Sequence, residues 1–348
     1  MKIVIIGAGA YAVALSSVFD ENNCDVTIWT KFEEEYNNII NNERRIKSLN
    51  NYQIPKSIKI TTNIKEALED KDLIVIAVPA GAVDEVSKLI KLYITHDQHV
   101  CIASKGIEQG TCLFVSDVFS KYNDTDKLAI ISGGGFAIDI IKKVPIGLSL
   151  ASKNKETIDI VKKTLQNNYL KLRETEDIIG IEICGSIKNV IAIAAGMING
   201  MGYPESTQAM FITEAIHDIK EVIGAFGGNE RTILSFAGFS DILLTCTSKK
   251  SRNFTLGRII GEKKSKKEID TYKKNTTVEG LYTLESIYKL LNDKTIDMPI
   301  VDLIYDIVFN DKNPEELIVY LNTKAWYILL KVLTNKKIIC YNYTCLHF

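Results

Sequence analysis

Hydrophobic residues fall into short unbroken runs along the first half of the chain and into long runs with helical spacing along the second. Lys2 to Ile6 is a continuous β-branched run, the pattern of a strand buried on both faces of a parallel sheet. Comparable runs stand at 24–29, 73–78, 99–103 and 128–131, and stretches 82–92 and 112–122 between them read as helices. This alternation predicts a doubly wound α/β sheet, whose ligands bind beyond the carboxyl ends of the strands. From about Asp177 the pattern turns helical, and 178–196 is apolar almost all round, which predicts a buried helix. The expected architecture is an N-terminal Rossmann-type domain over 1–176 and an all-α substrate domain over 177–324, with an extension of undetermined role over 325–348.

The first strand runs straight into Gly7-Ala8-Gly9-Ala10-Tyr11-Ala12 and then into an apolar helix. Strand, Gly-x-Gly-x-x-Ala and helix together form the phosphate-binding turn of a dinucleotide fold. Gly7 permits the tight turn, Gly9 lets a pyrophosphate approach the backbone, and Ala12 lets helix and strand pack closely. The freed amides at the helix start then face the anion. The second strand ends in Thr30-Lys31, with no carboxylate for a ribose 2′-hydroxyl. Lys31 suits the 2′-phosphate of NADP or a solvated loop equally well.

Three further loops follow strand ends: Pro79-Ala80-Gly81, Ser104-Lys105-Gly106-Ile107-Glu108, and Ser132-Gly133-Gly134-Gly135-Phe136-Ala137. The three consecutive glycines expose backbone amides without side-chain obstruction, which suits an anionic ligand. In the helical half, Glu182, Lys188 and Asn189 interrupt an apolar surround. Lys188 is either a snorkelling lysine or a buried ammonium whose lowered pKa fits acid–base work. Downstream, Asp241 and Thr245 sit in an apolar segment, followed by Ser251-Arg252-Asn253, where an arginine fork can grip phosphate.

Composition narrows the function classes. With 348 residues, 46% hydrophobic and 24% charged, the chain is long enough for two domains and too apolar for disorder. A net charge of -1 gives no global attraction to nucleic acid or anionic membrane, so any anion site is built locally. Seven dispersed cysteines, without C-x-x-C pairs, read as reduced thiols in apolar segments, and no metal site is expected. No leader pattern precedes the first strand and no apolar run nears the ~20 residues of a membrane span, so cytoplasmic residence without membrane insertion is the expectation.

In their order along the chain, the motifs resemble the bacterial NAD(P)-dependent glycerol-3-phosphate dehydrogenases over roughly residues 1 to 322. They are Gly7 to Leu15, Val78-Pro79, Ser104 to Glu108, Ile181-Glu182, Lys188 to Gly196, Leu234 to Thr247, Ser251-Arg252-Asn253, Val278-Glu279-Gly280 and Met298 to Val301. The resemblance implies reversible reduction of dihydroxyacetone phosphate with NADH or NADPH, and a homodimer. It implies that Lys188 donates and accepts the proton at the C2 oxygen, with Lys105, Asp241 and Thr245 in the same pocket. Gly133, Gly135, Asn189, Ser251, Arg252 and Asn253 then line the substrate, alongside Lys105, Lys188 and Asp241. Gly7, Gly9, Ala10, Tyr11, Ala12, Lys31, Lys105, Ala137, Arg252, Thr277 and Glu279 then contact the cofactor. One departure stands out: the family has Gly-Pro followed by Ser or Thr where this chain has Gly133-Gly134-Gly135, so a substrate-side hydroxyl is lost. Two alternatives remain, a keto- or hydroxy-acid reductase of the same architecture and a weakened NAD(P)-binding sensor. Ser251-Arg252-Asn253 argues against the first, and retention of Lys105, Lys188, Asp241 and Arg252 against the second.

Overall fold

The computed structural model describes residues 1–324, so the extension at 325–348, with Cys340 and Cys345, lies outside the described residues. In chain order the first half contains β1 (Lys2–Ile6), α1 (Ala10–Glu21), β2 (Asp25–Trp29), α2 (Glu33–Asn41), β3 (Arg45–Ile46), β4 (Tyr52–Gln53) and β5 (Lys59–Thr61). It continues with α3 (Ile64–Leu68), β6 (Leu73–Ile76), α4 (Val83–Ile90), β7 (His99–Ile102), α5 (Val115–Ser120), β8 (Leu128–Ser132) and α6 (Ala137–Ile141). The half closes with β9 (Ile146–Ser152), α7 (Lys155–Leu165) and β10 (Leu170–Thr175). The remainder is helical: α8 (Ile178–Gly200), α9 (Glu205–Ala225), α10 (Asp241–Thr247), α11 (Arg252–Gly261), α12 (Lys266–Asn275), α13 (Glu279–Asp293) and α14 (Pro299–Phe309).

The main sheet has the order β10-β9-β8-β7-β6-β1-β2-β5. The strands expected from the apolar runs are β1, β2, β6, β7 and β8, and they pair in parallel. Two further strands extend the sheet past β8, where β9 runs antiparallel to β8 and β10 parallel to β9. Alternate residues of each strand point to opposite faces. Ile3, Ile5, Val26, Ile28 and Val75 enter one core with Val13, Leu15 and Phe19 of α1. Val4, Ile6, Ile74 and Ile76 enter another, which runs without a break into α8 and the helices around it.

The α8 helix is the axis of the helical half. Asp177 caps it, its Oδ1 accepting from the Gly180 amide at 3.0 Å. Every residue from Gly180 to Ile198 is buried. Among the described residues α8 is the helix long and apolar enough to cross a membrane, and its hydropathy reflects this burial inside the protein. Nineteen buried positions leave no polar face, so Glu182, Lys188 and Asn189 must each find partners inside.

Candidate active site

The dinucleotide turn forms as the sequence predicts. Gly7 takes φ +117°, and a Cβ there would lie 2.7 Å from the Ala77 carbonyl oxygen, so glycine is required. Gly9 precedes α1 as its N-cap with no side chain bonded to the helix amides, and a Cβ there would meet nothing within 4 Å. The first amides of α1 are thus left for an anion, as the first turn of any helix leaves them. A cleft of about 1010 Å³ opens beside this turn, lined by Ala8, Gly9, Ala10, Lys31, Phe32 and Arg45. These features fit the pyrophosphate and adenosine side of NAD or NADP.

The end of β2 carries more charge than Thr30-Lys31 alone suggests. Lys31 pairs with Glu85 of α4, and the Thr30 hydroxyl donates to Glu35 of α2. The expectation that this strand end lacks a carboxylate is therefore corrected: Glu35, five residues on, is folded back beside Thr30. Both signs of charge meet the cleft, and neither cofactor is favoured by charge alone.

The loops after β7 and β8 meet α8 and α10 at a buried cluster. Lys188 Nζ lies 2.7 Å from Asp241 Oδ1 and 3.3 Å from Thr245 Oγ1. Lys105 Nζ lies 2.8 Å from Asp241 Oδ2 and 3.0 Å from the Gly133 carbonyl oxygen. One carboxylate thus holds two ammonium groups, one on each oxygen. A widened turn over Phe236–Ser240, with a non-helical Gly238, precedes α10 and sets Asp241 at its start, where the helix dipole favours an anion. Thr245, one turn on, donates to the Asp241 carbonyl at 2.6 Å.

Burial settles the question the sequence left open about Lys188, which is 8% exposed and paired, so it does not snorkel. Burial pushes its pKa below the ordinary lysine value and the Lys105 charge pushes it further, with Asp241 opposing both. Burial alone would raise the Asp241 carboxyl, but Lys105 and Lys188 outweigh it and hold the group below the usual carboxylate range. The arrangement is a buried ammonium with a lowered pKa, held by a carboxylate that stays ionised, which suits acid–base work.

Around this cluster, the Asn253 side chain joins three helices. Its Nδ2 donates to Asn189 Oδ1 of α8 at 2.9 Å, and its Oδ1 accepts from the Gly280 amide of α13 at 2.9 Å. Ser251 caps α11, accepting from the Phe254 amide at 3.2 Å. Arg252 begins α11 on the surface, about half exposed, with Nη2 3.7 Å from Glu279 Oε1. Thr277 is exposed in the loop before α13, and Ala137 begins α6 just past the triple glycine. The Tyr11 hydroxyl is buried and has no hydrogen-bond partner among the described residues.

The structure therefore brings Lys105, Gly133, Lys188, Asp241 and Thr245 together in one cluster, and Asn189, Ser251, Arg252, Asn253 and Glu279 in a second group that meets it at α8. Ala8, Gly9, Ala10 and Lys31 line the cofactor cleft, whereas the Tyr11 hydroxyl is buried and feels the charge of Asp241. Sequence reasoning missed Glu85 and Gly280, whose contacts exist only through tertiary folding.

Comparison with known proteins identifies the family and the fold. Residues 2–158 match the model of the NAD-dependent glycerol-3-phosphate dehydrogenase N-terminus, and residues 177–319 that of its C-terminus. The NAD(P)+ glycerol-3-phosphate dehydrogenase of Leptospira biflexa is 35% identical over 321 residues, covering 91% of this chain and 96% of the relative. The enzyme of the same name from Thermoanaerobacter sp. is 34% identical over 324 residues, covering 93% and 97%. The crystal structure of glycerol-3-phosphate dehydrogenase from Coxiella burnetii superposes with a TM-score of 0.86 at 28% identity, covering 92% of this chain and 98% of that one. Matched along both halves of its length, the chain belongs to the NAD-dependent glycerol-3-phosphate dehydrogenase family.

Proposed function

We propose that the protein reduces dihydroxyacetone phosphate reversibly to sn-glycerol 3-phosphate, using NADH or NADPH. The observation that carries this reading is the buried Lys105–Asp241–Lys188 cluster, set between the dinucleotide turn and the Arg252 segment. The nicotinamide, when bound, supplies or takes the hydride. The protein's part is to hold the substrate and manage one proton. Lys188 gives its proton to the C2 oxygen as negative charge develops there, and takes it back in oxidation. Asp241 keeps Lys188 oriented, and Thr245 fixes the Asp241 end of the pair. Lys105 adds a second positive charge facing the developing oxyanion. Arg252, with Ser251 and Asn253, faces the phosphate. The proposed assembly is a homodimer, the commonest closed arrangement. Cytoplasmic residence is proposed with it, since the described cysteines are free thiols and four of the five are buried.

The test is oxidation of NADH and of NADPH, separately, by dihydroxyacetone phosphate. Absence of turnover with both cofactors rejects the reading. The same assay with Arg252→Ala tests the phosphate contact. A charge-assisted bidentate contact is worth roughly one to two powers of ten in catalytic efficiency. The loss should be large with dihydroxyacetone phosphate and small with unphosphorylated dihydroxyacetone; equal losses mean that Arg252 does not read the phosphate.

The triple glycine gives a further expectation. Gly135 has no left-handed φ, and a Cβ there would lie 3.2 Å from the Ile146 Cδ1 methyl, the free end of a side chain. A serine therefore fits with a small shift of Ile146, whereas a Cβ at Gly133 would lie 2.7 Å from the Gly147 carbonyl oxygen. Gly135→Ser restores a hydroxyl of the kind found in the family and should lower KM for dihydroxyacetone phosphate by about three- to tenfold. The KM for cofactor should not move, and Gly135→Ala, which stiffens the loop without adding a donor, should not reproduce the gain.

A further inference from the structure

Glu182 is a buried carboxylate that the chemistry above does not use. It lies on α8 three residues before Gly185, on the same face of the helix, and is 5% exposed. Its Oε1 accepts from the Ser116 amide at 2.9 Å and its Oε2 from the Ser116 hydroxyl at 2.6 Å. On one side it lines a surface cleft of about 630 Å³ with Ser116, Asp117, Lys153 and Asp177. On the other it lines an internal cavity of about 10 Å³ with Lys105, Ser132 and Gly185, enough for a single water. The Ser132 hydroxyl is buried and has no hydrogen-bond partner among the described residues. A Cβ on Gly185 would lie 3.0 Å from Ser132 Oγ and 3.9 Å from the Lys105 side chain, so all three border one small space. A surface cleft and the lysine of the catalytic cluster are thus separated by one carboxyl group and a water-sized cavity.

We propose that Glu182 is a proton relay, exchanging protons between the surface cleft and the Lys105–Asp241–Lys188 cluster through a water in the Ser132–Gly185 cavity. The proposal rests on the reading of Lys188 as proton donor. In the reducing direction, Lys188 gives its proton to the substrate oxygen and becomes a neutral amine. Lys105 gives its proton to Asp241 Oδ2, 2.8 Å away; the briefly neutral carboxyl turns, presents that proton to the Lys188 amine at the 2.7 Å contact, and returns to the carboxylate. The Glu182 carboxyl protonates the cavity water, which passes one of its own protons to Lys105. Glu182, now a carboxylate, regains a proton from solvent in the cleft. One proton enters from solvent for each proton given to substrate, and oxidation runs the steps backward.

The electrostatics suit a relay. Burial pushes the Glu182 carboxyl up to about 7, against the two hydrogen bonds from Ser116, and Asp117 of α5 adds to the rise. Lys105 faces it across the cavity, and Lys153, Glu176 and Asp177 face it along the cleft. Both protonation states are therefore populated near neutrality. The loaded form, which serves reduction, dominates below the midpoint, and the empty form, which serves oxidation, dominates above it.

Glu182→Gln tests the relay, because the amide keeps an acceptor for the Ser116 amide and gains a donor for its hydroxyl. The measurements are kcat in both directions against pH, in light and heavy water, and the infrared carboxyl band of the protein against pH. The variant should lose about tenfold in kcat at unchanged KM, within the span of acid–base contributions, and show a larger solvent isotope effect. Its pH profile should lose the ionisation near neutrality, and its infrared spectrum the matching protonated-carboxyl band. Gly185→Ala fills the cavity without touching the Ser116 contacts; it should reproduce the kinetic losses while keeping the band, and it decides alone if Glu182→Gln does not fold. Wild-type kcat and pH profile in both variants, with an active parent, overturn the relay alone and leave Glu182 an anchor for α5. A parent without dihydroxyacetone phosphate reductase activity overturns the functional reading, and the relay with it.

Discussion

Replacing Lys188 with Met should lower kcat for dihydroxyacetone phosphate reduction by about 10²- to 10⁴-fold, the usual worth of a positioned acid. Methionine keeps the length of the side chain and suits the apolar surround, so the fold should survive. Asp241 keeps Lys105 on its second oxygen and is not left as an unpaired buried charge. Cofactor affinity, read by NADH fluorescence, should stay near that of the parent, since Lys188 is not among the residues that line the cleft beside the dinucleotide turn. The parent's pH dependence carries the same signature. Reduction needs the ammonium form and should fall as pH rises through a midpoint below the ordinary lysine value of about 10.4. Oxidation needs the free amine and should gain over the same range. Retention of more than a tenth of parental kcat in Lys188→Met would remove Lys188 as the proton donor.

Parts of this site were legible in the sequence because their chemistry is local. The Gly7 to Ala12 turn is a contiguous pattern with a strand before it and a helix after it. The burial of Lys188 was legible as a polar interruption of an apolar helix, but its fate was not. What decides between a snorkelling and a buried lysine is a carboxylate 53 residues away, and no local pattern connects the two. The pairing of Lys105 with the same carboxylate spans 136 residues. Asn253 reads in sequence as a substrate residue, and the fold gives its amide two structural bonds, to Asn189 and to the Gly280 amide. Strands β9 and β10 escaped notice for a different reason. Ile146–Ser152 mixes glycine and serine with its apolar residues, and Leu170–Thr175 is charged on its exposed face, so neither shows the unbroken run of a central strand. The carboxylate beside Thr30 was missed because a helix start folds back on the strand end that precedes it.

Gly257→Ala should give the largest loss of stability of any conservative change in the helical half. Helices α8 and α11 cross at two glycines each, four residues apart: Gly196 and Gly200 on one, Gly257 and Gly261 on the other. That spacing puts each pair on one face, so the two backbones touch without side chains between them. A Cβ on Gly257 would lie 1.8 Å from the Ile193 carbonyl oxygen, and one on Gly196 would lie 2.0 Å from that of Phe254. The obstacle is a helix backbone on both sides, so no change of rotamer relieves it and the helices must separate. Overpacking of this kind costs about 1–3 kcal/mol where side chains give way, and more where they cannot. Against a total stability of about 5–15 kcal/mol, that is a large fraction. A urea titration should show a lower midpoint for Gly257→Ala at an unchanged slope. Gly81→Ala is the matched control, since a Cβ there meets nothing within 4 Å and φ is not left-handed, so its midpoint should not fall. The loss should reach function as well. Separation pulls Asn253 from Asn189, and with it the Arg252 segment from the helix that carries Lys188. KM for dihydroxyacetone phosphate should therefore rise in Gly257→Ala while KM for cofactor does not, because the dinucleotide turn lies on the other domain. A variant with the parental urea midpoint would mean that α8 and α11 adjust freely. Their contact would then not be what holds the phosphate segment against the catalytic helix.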